Sequence, residues 1–122
     1  LADLADAAAR SLAYGDVKRL ELAVALANRP RLLLMDEPTA GMAPKERADL
    51  VALTRRIVDE EGASVLFTEH SMDVVFAFAD RILVLADGRL IADGAPEAVR
   101  ADPAVQAHYL GTPVDAGGGE RP

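Results

Sequence analysis

Leu32-Leu33-Leu34-Met35-Asp36-Glu37-Pro38-Thr39 is the stretch on which the reading of this chain turns. Four apolar residues in a row, stopped by two carboxylates and a proline, are too short for a helix. They predict a strand buried on both faces, as strands of a parallel sheet are. A loop, Asp36 to Gly41, follows, and Pro44 suits the first position of a helix. That helix is predicted to bury Leu50, Leu53, Ile57 and Val58 and to close at Gly62. Val65 to Thr68 then reads as a second strand.

Working outward, Leu1 to Arg10 is rich in Ala and Leu with spaced Asp and reads as the end of a helix. Ser11 to Asp16 is predicted as a short loop centred on Gly15. From Val17 to Ala27 the residues Val17, Leu20, Val24 and Ala27 recur at helical spacing, and Asn28 and Pro30 end that helix. Downstream, Ser71 is placed to cap a helix with Asp73 in its first turn. Ile82 to Leu85 and Leu90 to Ile91 flank Asp87-Gly88, a hairpin signal. Pro96 and Pro103 each open a short helix. The expected domain is therefore 1–111, with a flexible tail over 112–122.

Helices and strands in this alternation predict an α/β fold, with a mostly parallel sheet, flanking helices and a terminal β-hairpin. Strand–helix–strand units of this kind are right-handed and bind ligands at the carboxyl ends of their strands. Asp36-Glu37 and Glu69-His70 both fall at such ends.

Composition narrows the function. The 122 residues are enough for one domain or part of one, and 51% are hydrophobic, which argues against disorder. Aromatics are only 4%, so the core must be built from Leu, Val, Ile and Ala. There is no Cys, which excludes a disulfide framework and cysteine-ligated zinc. A net charge of −7 opposes bulk nucleic-acid binding, which needs a basic footprint. No apolar run approaches the ~20 residues of a membrane-spanning helix, and no signal peptide is expected. The chain begins at Leu1 rather than Met, from which a truncated start is expected.

Three motifs carry chemistry. An apolar strand ending in Asp36-Glu37 fits nucleotide hydrolysis: Asp36 can hold a phosphate-bound Mg²⁺ through water, and Glu37 is placed to polarise the attacking water. Two acidic residues alone read better as a solvated turn; the whole octapeptide points to hydrolysis. Leu12-Ala13-Tyr14-Gly15-Asp16, leading into a helix, offers unpaired N–H groups and the positive end of a dipole, or else a plain cap by Asp16. Thr68-Glu69-His70 ends the next strand, where His70 can donate to a phosphate oxygen or simply sit at the surface. His108 has only the latter reading.

In order and spacing these motifs resemble the ATP-binding-cassette (ABC) ATPases, over almost the whole chain up to about Gly111. The Leu12 to Asp16 stretch is similar to the family signature, Leu32 to Glu37 to its Walker B strand, and His70 to its switch histidine. The resemblance implies a P-loop NTPase fold of which this is the C-terminal portion. It also implies two nucleotide-binding domains sandwiching two ATP molecules. Asp36 would then serve Mg²⁺, Glu37 the water and His70 the γ-phosphate, while Tyr14, Gly15 and Asp16 would complete the partner's ATP site. Tyr14-Gly15-Asp16-Val17-Lys18-Arg19-Leu20-Glu21, His70-Ser71-Met72-Asp73-Val74-Val75-Phe76 and Asp102-Pro103-Ala104-Val105 with Tyr109-Leu110-Gly111 resemble the branched-chain amino acid importer branch most. Lipopolysaccharide-export and urea-import ATPases share much of this.

The P-loop, G-x-x-x-x-G-K-[ST], is absent: the lysines are Lys18 and Lys45, and neither follows a Gly. Ala13 stands where the signature usually has Ser, Asp16 where it has Gln or Glu, and Ala43 where the loop after Walker B has Asp or Asn. The expectation is an ATP-hydrolysing importer subunit at the cytoplasmic face of the inner membrane, inactive as this fragment alone. Its expected partners are a second nucleotide-binding domain, transmembrane permease subunits and, indirectly, a periplasmic solute-binding protein, with no nucleic acid. The rivals are a soluble ABC ATPase of DNA repair or chromosome structure, against which the hairpin and importer-like ending speak, and an inactive truncated gene product.

Overall fold

The structure is a computed structural model that describes residues 1–110; the tail expected over 112–122 lies outside them. The chain forms two compact units, Leu1–Phe78 and a second beginning at Ala79.

In the first unit, 3₁₀ turns at Ala2–Leu4 and Ala9–Ser11 precede α1 (Tyr14–Leu26), β1 (Leu32–Asp36), α2 (Pro44–Glu61), β2 (Ser64–Thr68) and α3 (Met72–Phe78). The helix end expected over Leu1 to Arg10 is thus two single turns. Neither has a side-chain cap, and a segment this short cannot offset the cost of nucleating an α-helix by itself. The Ser11 to Asp16 loop is also shorter than expected. Helix α1 begins at Tyr14 with Ala13 as its N-cap in extended conformation, which puts Gly15 and Asp16 inside the first turn.

β1 and β2 pair in parallel, Leu32 opposite Ser64 through Asp36 opposite Thr68, with α2 as the crossover. The core gathers Leu22 from α1, Leu33 from β1, Met42 from the loop and Leu50 from α2. Leu26, Met35, Leu53, Ile57 and Val65 pack against them. The face predicted for α2 is therefore the one buried. In α1, however, Leu22 and Leu26 turn inward while Val24 is 64% exposed. Both sets have helical spacing, and the face with the larger leucines is the one that meets β1. Burial of β1 on both faces is corrected too. Leu33 is buried, but Leu32, Leu34 and Leu66 are half or more exposed, because among the described residues the parallel pair is two strands wide and packed on one side.

Helix α2 ends at Gly62, whose φ of 68° is the left-handed geometry of a C-cap. At its start Ala43 has the extended backbone of an N-cap (φ −65°, ψ 154°) without a side chain that can accept. The return half of a capping box is present: Glu46 Oε2 accepts from the Ala43 N–H at 3.2 Å. We expect Ala43→Asp to stabilise the chain by about 1 kcal/mol, because its carboxylate would accept from orphan N–H groups at the positive end of the helix. Repulsion from the Glu46 carboxylate opposes this and is screened at ~0.15 M salt. Chemical denaturation of both forms at that salt checks it; an unchanged or lower midpoint would mean the acidic neighbours win.

Ser71 precedes α3. Its carbonyl accepts from the Val75 N–H, and its hydroxyl oxygen, expected as a cap, accepts from the Arg47 guanidinium at 3.1 Å, tying α3 to α2.

The second unit holds β3 (Ile82–Ala86), β4 (Arg89–Gly94), α4 (Pro96–Ala101), α5 (Pro103–Val105) and a π-helical turn, Gln106–Leu110. β3 and β4 form the predicted antiparallel hairpin, with an irregularity between Val84 and Leu85. Asp87 and Gly88 both have positive φ (50° and 73°), as a two-residue type I′ turn requires. Pro96 and Pro103 open their helices as expected, and Asp102 caps α5 by accepting from the Ala104 N–H at 2.8 Å. Ile82, Val99 and Val105 are buried. Arg81 and Asp93 pair through two hydrogen bonds of 2.8 and 2.7 Å across the hairpin. The Tyr109 hydroxyl donates to the Leu85 carbonyl.

Candidate functional site at the ends of β1 and β2

Because β1 and β2 are adjacent and parallel, their carboxyl ends deliver Asp36-Glu37 and Thr68-Glu69-His70 side by side. Asp36 is the last residue of β1, and one of its carboxylate oxygens accepts from the Thr68 hydroxyl at 2.5 Å. The next N–H, that of Glu37, donates to both the carbonyl and the hydroxyl oxygen of Thr68, at 3.0 and 3.1 Å. His70 Nε2 lies 2.8 Å from Glu37 Oε1. Both side chains of that pair are open to solvent, 80% and 46% exposed. Exposed pairs contribute little to stability, so this contact leaves the two groups available to a ligand.

Glu37 has a φ of 45°. The left-handed region is unfavourable for a residue with a Cβ, costing on the order of 1–3 kcal/mol, and persists only where the surroundings impose it. Here they do so from both sides. Thr68 holds the Glu37 N–H. Beyond it, Ala40 N–H closes a turn onto the Glu37 carbonyl at 3.1 Å, and Thr39 is fastened to Glu69. Glu69 Oε1 accepts from the Thr39 N–H at 3.0 Å and from the Thr39 hydroxyl. Thr39 is only 2% exposed and is the buried polar residue among those described. Burying its two donors is tolerable because the carboxylate meets both.

Of the signature-like residues, Tyr14 reaches this turn: its hydroxyl donates to the Ala40 carbonyl at 2.9 Å, and its ring lies over Gly41. Gly15 faces α2, where an added Cβ would stand 3.5 Å from Glu46 Oε1. Asp16 pairs with Arg19 in its own helix at 3.6 Å. The structure thus brings Asp36, Glu37 and His70 together and attaches Tyr14 through the turn. Among the described residues, Gly15 and Asp16 make no hydrogen bond to Asp36, Glu37 or His70. Thr68, Glu69 and Thr39 stand within the motifs read from the sequence but were given no role of their own there. The signal was present: alternation past the end of β2 sends Thr68 and His70 to one side and Glu69 to the other.

The cleft beside Asp36, between Lys18, Leu22, Leu33 and Pro38, measures about 120 Å³, far below the roughly 300 Å³ at which ligand pockets begin. Among the described residues no group of three His, Cys, Asp or Glu is arranged to hold a metal. A Mg²⁺ at Asp36 would therefore complete its shell with phosphate oxygens and water, which is how Mg²⁺ is usually held. The hard carboxylate oxygens of Asp36 fit that cation.

Comparison with known proteins places the chain among relatives. A family model described as "ABC transporter" matches residues 1–40, and one described as "Branched-chain amino acid ATP-binding cassette transporter" matches residues 89–115. The high-affinity branched-chain amino acid transport ATP-binding protein BraF of Pseudomonas aeruginosa is 44% identical over 111 residues, covering 91% of this chain and 44% of BraF. Its counterpart LivG of Escherichia coli is 40% identical over the same coverage. Among solved structures, MJ1267, an ATP-binding cassette of an ABC transporter, superposes with a TM-score of 0.77 at 32% identity, over 91% of this chain and 45% of that one. The chain spans a little under half the length of these relatives. It has the fold of the ABC ATPase domains and belongs to the ATP-binding-cassette family of transporter ATP-binding proteins.

Proposed function

We propose that this chain is the C-terminal part of an ATP-hydrolysing, energy-coupling subunit of a bacterial importer, for branched-chain amino acids or related small solutes. The observation that carries this reading is the 2.8 Å contact between His70 and Glu37 beside Asp36, at the ends of two parallel strands. In it, Asp36, oriented by the Thr68 hydroxyl, would hold Mg²⁺ through water. Glu37 accepts a proton from the attacking water. His70 Nε2 is the donor for a terminal phosphate oxygen and, before that, holds the Glu37 carboxylate in place. Bound Mg-ATP supplies the phosphoryl group that is transferred to water. The Tyr14-Gly15-Asp16 turn serves the ATP of a second nucleotide-binding domain. Permease subunits receive the energy at the cytoplasmic face of the inner membrane, and a periplasmic solute-binding protein delivers the solute to them.

The relatives' names support the solute class, and the site supports the chemistry. The test is reconstitution of the full-length subunit with its permease in proteoliposomes. ATP hydrolysis stimulated by binding protein loaded with a branched-chain amino acid supports the reading. Co-purification with DNA and no permease would replace it. The isolated chain, lacking a P-loop, is expected to release no phosphate above a Glu37→Gln control, since the P-loop supplies most phosphate contacts. Steady-state release clearly above that control would overturn this expectation.

A further inference from the structure

Glu69 sits between two residues of the proposed catalytic machinery yet points away from both. Its carboxylate takes both donors of Thr39. Three consecutive residues after β2 thus grip three points along the chain after β1. Thr68 holds the Asp36 carboxylate and the Glu37 N–H, His70 meets the Glu37 carboxylate, and Glu69 holds Thr39. Thr39 is two residues beyond Glu37, inside the turn closed by the Ala40 N–H on the Glu37 carbonyl, and its own carbonyl accepts from the Met42 N–H. Glu37 stands in the left-handed region between the Thr68 and Glu69 anchors. With the second anchor removed, Thr39 keeps two buried donors without an acceptor, and the turn is free to relax toward right-handed backbone. Such a relaxation rotates the Glu37 side chain away from His70.

We propose that Glu69 is the positioning residue of this site: by clamping Thr39 it holds Glu37 in its left-handed conformation and so fixes the Glu37 carboxylate against His70. This rests on the hydrolytic reading of Glu37 given above. It adds a role for a carboxylate that itself touches neither nucleotide nor water.

Two measurements test it. In this chain, amide hydrogen exchange at Thr39 and Glu37 should accelerate about tenfold or more in Glu69→Ala, the size of effect expected from losing one such bond. Exchange at Leu33 in β1 should stay unchanged. Glu69→Gln, whose amide oxygen can accept both bonds, should restore protection. In the full-length ATPase, Glu69→Ala should lower kcat by about 10- to 100-fold, the cost of a small misplacement of a reacting group, with KM for ATP within about twofold. Glu69→Gln should recover most of that loss, and Glu69→Ala added to Glu37→Gln should cost nothing further. If Glu69→Ala proves unstable, Thr39→Val removes only the hydroxyl donor and should show the same kcat-selective loss in milder form. Equal losses in Glu69→Gln and Glu69→Ala would make the charge, not the clamp, the important property and overturn the proposal. Unchanged kcat in Glu69→Ala would do the same. Turnover that survives Glu37→Gln would instead remove the hydrolytic reading itself, and the proposal with it.

Discussion

Replacing Glu37 by Gln in the full-length subunit is expected to lower ATP turnover by about 10²–10⁴-fold, the usual worth of a positioned general base, while ATP affinity stays within about twofold. The substitution changes little else. Gln has the same shape and can keep a contact with His70 Nε2. The left-handed backbone at this position is held by the Thr68 and Glu69 anchors and not by the Glu37 side chain, so the turn stays in place. Asp36 keeps its bond from the Thr68 hydroxyl and with it its orientation toward Mg²⁺. What is lost is the ability to take a proton from water. Single-turnover phosphate release beside equilibrium nucleotide binding separates the two effects. A loss of only severalfold would mean another group activates the water, and a loss of binding would place Glu37 among the nucleotide's ligands.

The second large effect concerns the core. Leu50→Ala is expected to destabilise the chain by about 2–5 kcal/mol, the range for a fully buried leucine whose removal leaves a cavity. Leu50 is 2% exposed within α2 and belongs to one core cluster with Leu22 of α1, Leu33 of β1 and Met42 of the loop. Leu34→Ala removes the same atoms from β1 but at a site 67% exposed, and should shift stability by no more than about 0.5 kcal/mol. Urea denaturation of the two variants makes the comparison; equal shifts would contradict the packing described here. The first loss is a large part of the roughly 5–15 kcal/mol that holds an ordinary domain together.

The meeting of Asp36, Glu37 and His70 was legible because it follows from topology alone: two short apolar runs joined by one helix make neighbouring parallel strands. The helix starts marked by Pro44, Pro96 and Pro103 and the Asp87-Gly88 turn were legible because a fixed φ or a tolerated positive φ is written in the residue itself. Reading failed where the choice depended on tertiary contacts. Helix α1 carries two apolar stripes, and only the position of β1 selects Leu22 and Leu26. The Tyr14-Gly15 pair looks like a turn locally but opens a helix. Three leucines and a methionine in a row announce a doubly buried strand, yet among the described residues the sheet is covered on one side. Glu69 read as one more acidic residue because its partner, Thr39, is 30 positions away in sequence.

The same long reach sets the order in which the molecule comes together. Ala86 and Arg89 meet across a two-residue turn, and such hairpins close within about 1–10 μs. Asp36 and Thr68 are held apart by the whole of α2. Joining ends roughly 30 residues apart costs about 2 kcal/mol more closure entropy than joining ends three apart. Contacts of that kind are the slow ones in folding. Until Thr68 and Glu69 arrive, only water meets the Glu37 N–H and the Thr39 donors, and Asp36-Glu37 is an ordinary acidic turn. The left-handed backbone at Glu37 is therefore a late product of folding, completed only when β2 docks beside β1.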